Sequence, residues 1–127
     1  MIEQHTAKHY RWDDMPQEQM KGSITRRIIT GDAMMIAEIS IPKGQVVPLH
    51  SHHNEQIVHI IKGALLLKLG QAQDREVTVH AGEVLVIPGN LPHSAIALED
   101  TIDVDIFSPP RQDWLDGSDA YLRDNAG

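Results

Sequence analysis

Between Ser23 and Phe107 apolar and polar residues follow each other in short runs, broken at close intervals by turn residues. Ser23–Thr30 and Ala33–Pro42 are strand-prone and meet at Gly31-Asp32, a tight-turn pair. Val46–His50, Gln56–Lys62, Ala64–Leu69, Glu76–His80, Val84–Pro88, His93–Leu98 and Thr101–Phe107 continue the rhythm. Lys43-Gly44, Lys62-Gly63, Gly70–Asp74, Ala81-Gly82, Pro88–Pro92 and Glu99-Asp100 separate them. Strands this short, at this spacing, predict an all-β sandwich or barrel. No helical period of useful length interrupts them. Pro110–Arg123 differs, with Trp114, Leu115, Tyr121 and Leu122 set among charges, and predicts one or two short helical turns packed on the barrel. The chain therefore divides into an N-terminal arm (1–20) anchored at Tyr10 and Trp12, a barrel (21–108) and a C-terminal tail (109–127).

One strand carries chemistry in its alternation. Ile102, Val104 and Ile106 share a face, and Asp103, Asp105 and Phe107 share the other. If the apolar set packs against a neighbouring layer, the other set lines the barrel mouth, where a carboxylate is costly unless paired or used. For Asp103 a solvated face is the plainer reading. Ser108-Pro109-Pro110-Arg111 follows at once, and two prolines stiffen the exit from which Arg111 projects.

Composition narrows the partners. At 127 residues the chain makes one domain with a core. Its net charge of -7, from 18 acidic and 11 basic residues, argues against nucleic acid, which needs a basic surface. No basic amphipathic stretch suggests a membrane surface, and no run approaches the roughly 18 apolar residues of a membrane span. Met1–Trp12 is polar and does not read as a secretory signal. Cysteine is absent, so neither a disulfide framework nor a thiolate ligand is available. A cytoplasmic protein is expected.

The histidines carry the strongest signal. His50 and His52 are two apart, so on a strand they point to one face, and His93 follows on a distant strand. Neutral imidazoles converging in this way form a transition-metal site. His53 adjoins them without clear purpose. His59 reads as a packing or interface residue, His80 as exposed, and His5 and His9 as parts of the arm.

Gly44, five residues, His50, one, His52, three, Gln56, six, Gly63 is followed by Gly82, five residues, Pro88, Asn90, two, His93. These two stretches resemble the paired motifs of the cupin superfamily. The resemblance runs from about Gly22 to Phe107. It implies a small jelly-roll barrel (a double-stranded β-helix) with His50, His52, Gln56 and His93 as metal ligands. Gln56 stands where the family usually has Glu, and Asn90 where it has Gly, a mild change because Asn tolerates positive φ. Glu55 is the rival ligand if a turn at His53-Asn54 resets the count. A neutral amide leaves the ion its full charge, making it a stronger Lewis acid and a poorer match for oxygenase chemistry.

Val47–His52, the Asn54-Glu55-Gln56 step, Gly82–Pro88 and Asp105–Trp114 together are similar to the pectin-degradation cupins. That resemblance implies opening of cyclic 4,5-unsaturated monouronates, from pectin or alginate breakdown, to linear keto forms. It carries catalytic roles to Asp105, Phe107 and Arg111. Asp105 would shuttle a proton, Phe107 would pack on the sugar, and Arg111 would hold the carboxylate. One divalent metal is implied (nickel, zinc, manganese or iron(II)), with a small sugar acid as partner and, by family habit, a homodimer. A non-catalytic sugar-acid binding cupin and a metal-dependent dioxygenase are the alternatives.

Overall fold

The inward faces of two antiparallel sheets make the barrel of the computed structural model, which describes residues 6–123. His5 lies outside them, as do the ends of the arm and tail. The strands are β1 (Glu18–Gln19), β2 (Thr25–Thr30), β3 (Met35–Ile41), β4 (Val46–His50), β5 (Glu55–Lys62), β6 (Ala64–Leu69), β7 (Arg75–His80), β8 (Val84–Ile87), β9 (His93–Ala97) and β10 (Thr101–Ser108). One sheet runs β1-β2-β3-β10-β5-β8, the other β4-β9-β6-β7. The expected all-β jelly roll is thus realised.

Side-chain alternation decides the interior. On β3, Met35, Ala37, Ile39 and Ile41 point inward; across the barrel, Leu65, Leu67 and Leu69 of β6 and Ala95 and Ala97 of β9 meet them. On β10 the inward set is Thr101, Asp103, Asp105 and Phe107. Ile102, Val104 and Ile106 are the half-buried outer set. Asp103 is therefore not on a solvated face: it is 3% exposed. The parity that buries Asp105 and Phe107 buries Asp103 with them.

One irregularity places a histidine. β4 pairs with β9 as Val47↔Ala95 and His50↔His93, so one extra residue of β4 is accommodated at Pro48-Leu49. Proline has no N–H for the ladder and suits such a bulge. The extra residue resets the alternation, so Val47 and His50 both line the interior.

The arm differs from its expectation. Glu18–Gln19 pair with β2, and Tyr10 is 44% exposed and anchors little. The half-buried Trp12, in a 3₁₀ turn, and the buried Met20 hold it instead. The tail forms α1 (Gln112–Asp116), ends it at Gly117 with φ +79, and adds a 3₁₀ turn at Ala120–Leu122. Trp114 and Leu122 bury themselves in the barrel core. Lys21 N–H donates to Leu122 O at 2.7 Å, and Arg26 of β2 reaches Asp119 at 2.7 Å.

Gly44 and Gly63 both have φ +87. A Cβ at Gly44 meets nothing within 4 Å, whereas one at Gly63 overlaps the Asp100 carbonyl oxygen and Thr101. Gly44→Ala is expected to cost about 1 kcal/mol, from backbone strain alone. Gly63→Ala is expected to cost about 3 kcal/mol or more, because backbone must also move. Urea melts of the two variants check the order.

Candidate metal centre

Strand ends from both sheets bring His50, His52, Gln56 and His93 together. His50 and His93 are directly paired across β4 and β9, and their ring centroids lie 4.3 Å apart. His52, just past β4, is 5.2 Å from His93 and 5.6 Å from His50. One nitrogen from each ring falls within 4.8 Å of the others. Gln56 is buried at the start of β5 and faces His52, with Oε1 3.1 Å from its Nε2. Glu55 is exposed, so of the two it is Gln56 that faces the histidines.

The protonation pattern suits a cation. Each Nδ1–H donates to a main-chain carbonyl: His50 to Pro48 at 2.8 Å, His52 to Asn54 at 3.1 Å, His93 to Leu91 at 2.8 Å. Those bonds leave every Nε2 as a bare lone pair and orient the rings, as outer partners do in metal sites. His93 Nε2 is buried with no hydrogen-bond partner. The Gln56 amide donates to Asp105, so its Oε1 and His52 Nε2 are two acceptors facing each other. A divalent ion satisfies these lone pairs together, and the residues present fit one.

Burial, then the neighbouring His93, pushes His50 down to about 3; burial, then Arg111, pushes His52 down to about 4. Burial also lowers His93. Protons therefore compete for His50 and His52 only near or below about pH 4. Competition by protons at His50 and His52 should therefore weaken metal binding little between pH 7 and pH 5 and steeply below pH 4. Three unperturbed imidazoles would instead lose on the order of 10⁴-fold by pH 5. Calorimetric metal titrations across that range distinguish the two.

Beneath the histidines lie two carboxyls. Asp105 sits diagonally across from Gln56 on the β5–β10 ladder, and Asp103 one step deeper. Burial raises Asp105 to about 6. Burial and then the adjacent Asp105 raise Asp103 well above the carboxylate range, and a hydrogen bond joins the two groups. Phe107 is fully buried, with its ring 5.7 Å from His52 and 4.9 Å from Trp114. Arg111 is also buried, with Nε and Nη2 donating to Asp113 at 2.9 and 2.8 Å and Nη2 to the Tyr121 hydroxyl at 3.0 Å. The structure thus brings all seven expected residues to one end of the barrel. His53 and His80 are exposed, and His59 is half-buried on the outer face.

Three neighbours escaped the sequence reading. Asn54, 2% exposed, donates to the Pro109 and Pro110 carbonyls at 2.6 and 3.2 Å and ties the histidine loop to the β10 exit. Tyr121 stacks on His50 at 4.0 Å with a 17° tilt. Trp114 donates to the Tyr121 hydroxyl at 3.1 Å and lies between two guanidinium groups, Arg26 at 4.4 Å and Arg111 at 4.7 Å. The Asn54-Glu55-Gln56 step was a usable signal for Asn54. The apolar pattern of the tail marked Trp114 and Tyr121 as packing residues, but nothing local placed them at the site.

Residues 37–108 match the cupin domain family Cupin_2. The 3-hydroxyanthranilate 3,4-dioxygenase of Neurospora crassa is 22% identical over 107 residues, which are 84% of this chain and 59% of that enzyme. The chain thus spans about three-fifths of that relative's length. Among solved structures, KdgF from Halomonas sp. is 26% identical with a TM-score of 0.76, over 84% of this chain and 99% of KdgF. An RmlC-like cupin from Shewanella frigidimarina NCIMB 400 has the same fold at 22% identity and a TM-score of 0.76, over 85% of this chain and 96% of the other.

Proposed function

This chain belongs to the cupin domain family, and from that premise we propose that it is a metal-dependent enzyme opening 4,5-unsaturated monouronates to linear keto acids. The observation that carries the proposal is the Asp105–Gln56 contact. It sets a carboxyl of intermediate acidity directly against a neutral-ligand metal site. Likeness to KdgF over nearly the whole of that protein's length supports the same direction.

His50, His52, His93 and Gln56 would hold the ion, which when bound supplies Lewis acidity toward substrate oxygens without redox change. Asp105, ionised, takes the proton of the anomeric hydroxyl. The C1–O5 bond breaks, an aldehyde forms at C1, and the electron pair leaves with O5 as an enolate. Asp105 then returns its proton to C4, and the enolate becomes a ketone at C5. No proton is gained or lost overall, and a carboxyl titrating near 6 is matched to both transfers. Phe107 keeps water from the reacting face, and Arg111 holds positive charge beside it. For Arg111 to grip the substrate carboxylate, it must exchange Asp113 for it. A homodimer is part of this reading, with Ile61, Val84 and Val86 exposed side by side on β5 and β8.

A proton NMR time course with unsaturated galacturonate and its alginate-derived counterpart, on metal-loaded and chelated protein, tests this. Metal-dependent loss of the cyclic signal is expected. Binding without conversion would mean a non-catalytic sugar-acid binder. The likeness to 3-hydroxyanthranilate 3,4-dioxygenase favours a second reading, a metal-dependent dioxygenase, against which the neutral Gln56 counts. Oxygen uptake on adding iron(II) and a catechol-like acid would support it.

A further inference from the structure

The lumen beneath the metal site encloses about 40 Å³. That suits a water or an ion, whereas organic ligands occupy pockets of roughly 300 Å³ and upward. Its walls are mostly aliphatic, and the few polar groups among them stand out. Arg26 Nη2, His93 Nε2, Asp103 Oδ1 and Asp105 Oδ1 are all buried without hydrogen-bond partners, and all four residues line it. Strands close most of its circumference. The tail residues Tyr121 and Leu122 complete the lining.

Tyr121 and Leu122 border this space, and Asp119 meets Arg26, which also lines it. Tyr121 lays a six-membered ring on His50, and two residues earlier Asp119 places a buried carboxylate on Arg26. Asp119 is a fully buried side chain held by Arg26 at 2.7 Å and Arg123 at 2.9 Å. Arg26 is itself 1% exposed, also bonds Glu18 at 3.0 Å, and still has Nη2 unused. Arg26 and Asp103 both pair with Ile39 in register, so the guanidinium faces the lumen level with the deeper carboxyl.

We propose that residues 118–123 are an internal stand-in for the substrate. Tyr121 and Asp119 occupy the places of a sugar acid's ring and carboxylate, and Arg26 is the residue that binds that carboxylate. Entry then means that the segment swings out at Gly117, whose left-handed backbone marks the end of α1. The incoming carboxylate replaces Asp119 on Nη1 and meets the unused Nη2, while the ring moves onto the vacated face beside His50. This rests on the sugar-acid reading above for its ligand class, and it makes Arg26 rather than Arg111 the anchor.

The test measures occupancy, not turnover. Metal-loaded full-length protein is titrated calorimetrically with D-galacturonate and with its uncharged methyl ester. Asp119→Asn, which weakens the stand-in, is expected to bind galacturonate at least tenfold tighter than wild type and the ester no better. Asp113→Asn is expected to change neither. Tightening by Asp113→Asn alone, or tightening by Asp119→Asn of less than tenfold, including no binding by either, overturns the proposal. Should Asp119→Asn not fold, Trp12→Phe leaves Trp114 as the remaining tryptophan of two. Its emission must shift with galacturonate as Tyr121 leaves its N–H. No shift up to the solubility limit of the acid overturns the proposal equally. A protein inactive on unsaturated sugars can still pass these tests, and an active one can fail them.

Discussion

His93→Ala is expected to abolish stoichiometric metal binding while leaving the barrel folded. Of the three imidazoles His93 is the most buried, and its Nε2 has no hydrogen-bond partner. Loss of an outer partner of a metal ligand already costs roughly 10- to 100-fold in affinity. Removing the ligand itself should therefore cost well over about 100-fold, read by competition with a chromogenic chelator. The fold should tolerate the change because the neighbours of His93 are His50 and His52, and alanine removes an unsatisfied polar atom along with the ring. His50→Ala gives a useful contrast: it also strips the surface on which Tyr121 stacks, so some stability should be lost with the metal. Full-strength binding by His93→Ala would mean that the three lone pairs do not share an ion.

The parts of this site that follow local rules were legible before the structure. Parity along β10 and the His-x-His spacing pointed to Asp105, Phe107, His50 and His52, and motif spacing pointed to Gln56 and His93. Asn90 takes φ +68, as its place in the second motif suggested. Features that depend on distant chain were not legible. The bulge at Pro48-Leu49 exists only in relation to β9, yet it is what turns His50 inward beside Val47. Asp103 looked like a solvated partner of Asp105 because a second buried carboxyl is expensive; the interior holds both by letting them share a hydrogen bond. Tyr121 and Asp119 sit in a polar tail whose charges resemble surface charges until Arg26, far away in sequence, buries one of them. His50 and Asp119 thus share one property: each is held in place by a strand far from it in sequence.

Asp105→Asn is expected to lower the rate of uronate opening by roughly 10²- to 10⁴-fold, the usual worth of a positioned acid or base. The substitution keeps size and an oxygen that can accept from the Gln56 amide, so metal affinity should stay within tenfold of wild type. The two readouts separate the possible roles of this carboxyl. If rate collapses and metal stays, Asp105 moves the proton. If both collapse, its role is to aim the Gln56 oxygen at the ion, and it is a positioning residue. The pH profile adds a third check. Burial holds Asp105 near 6, so as the base it gains activity as pH rises through that value, and the asparagine variant should lose that limb. Folding stability follows the opposite sign. A carboxyl whose folded pKa lies above its unfolded value contributes stability below about pH 4 that is lost as pH rises through about 6. Wild type should therefore approach its full rate over the range in which Asp105 ceases to favour the fold, and Asp105→Asn should remove the rate trend and lessen the stability trend, the rest of which belongs to Asp103.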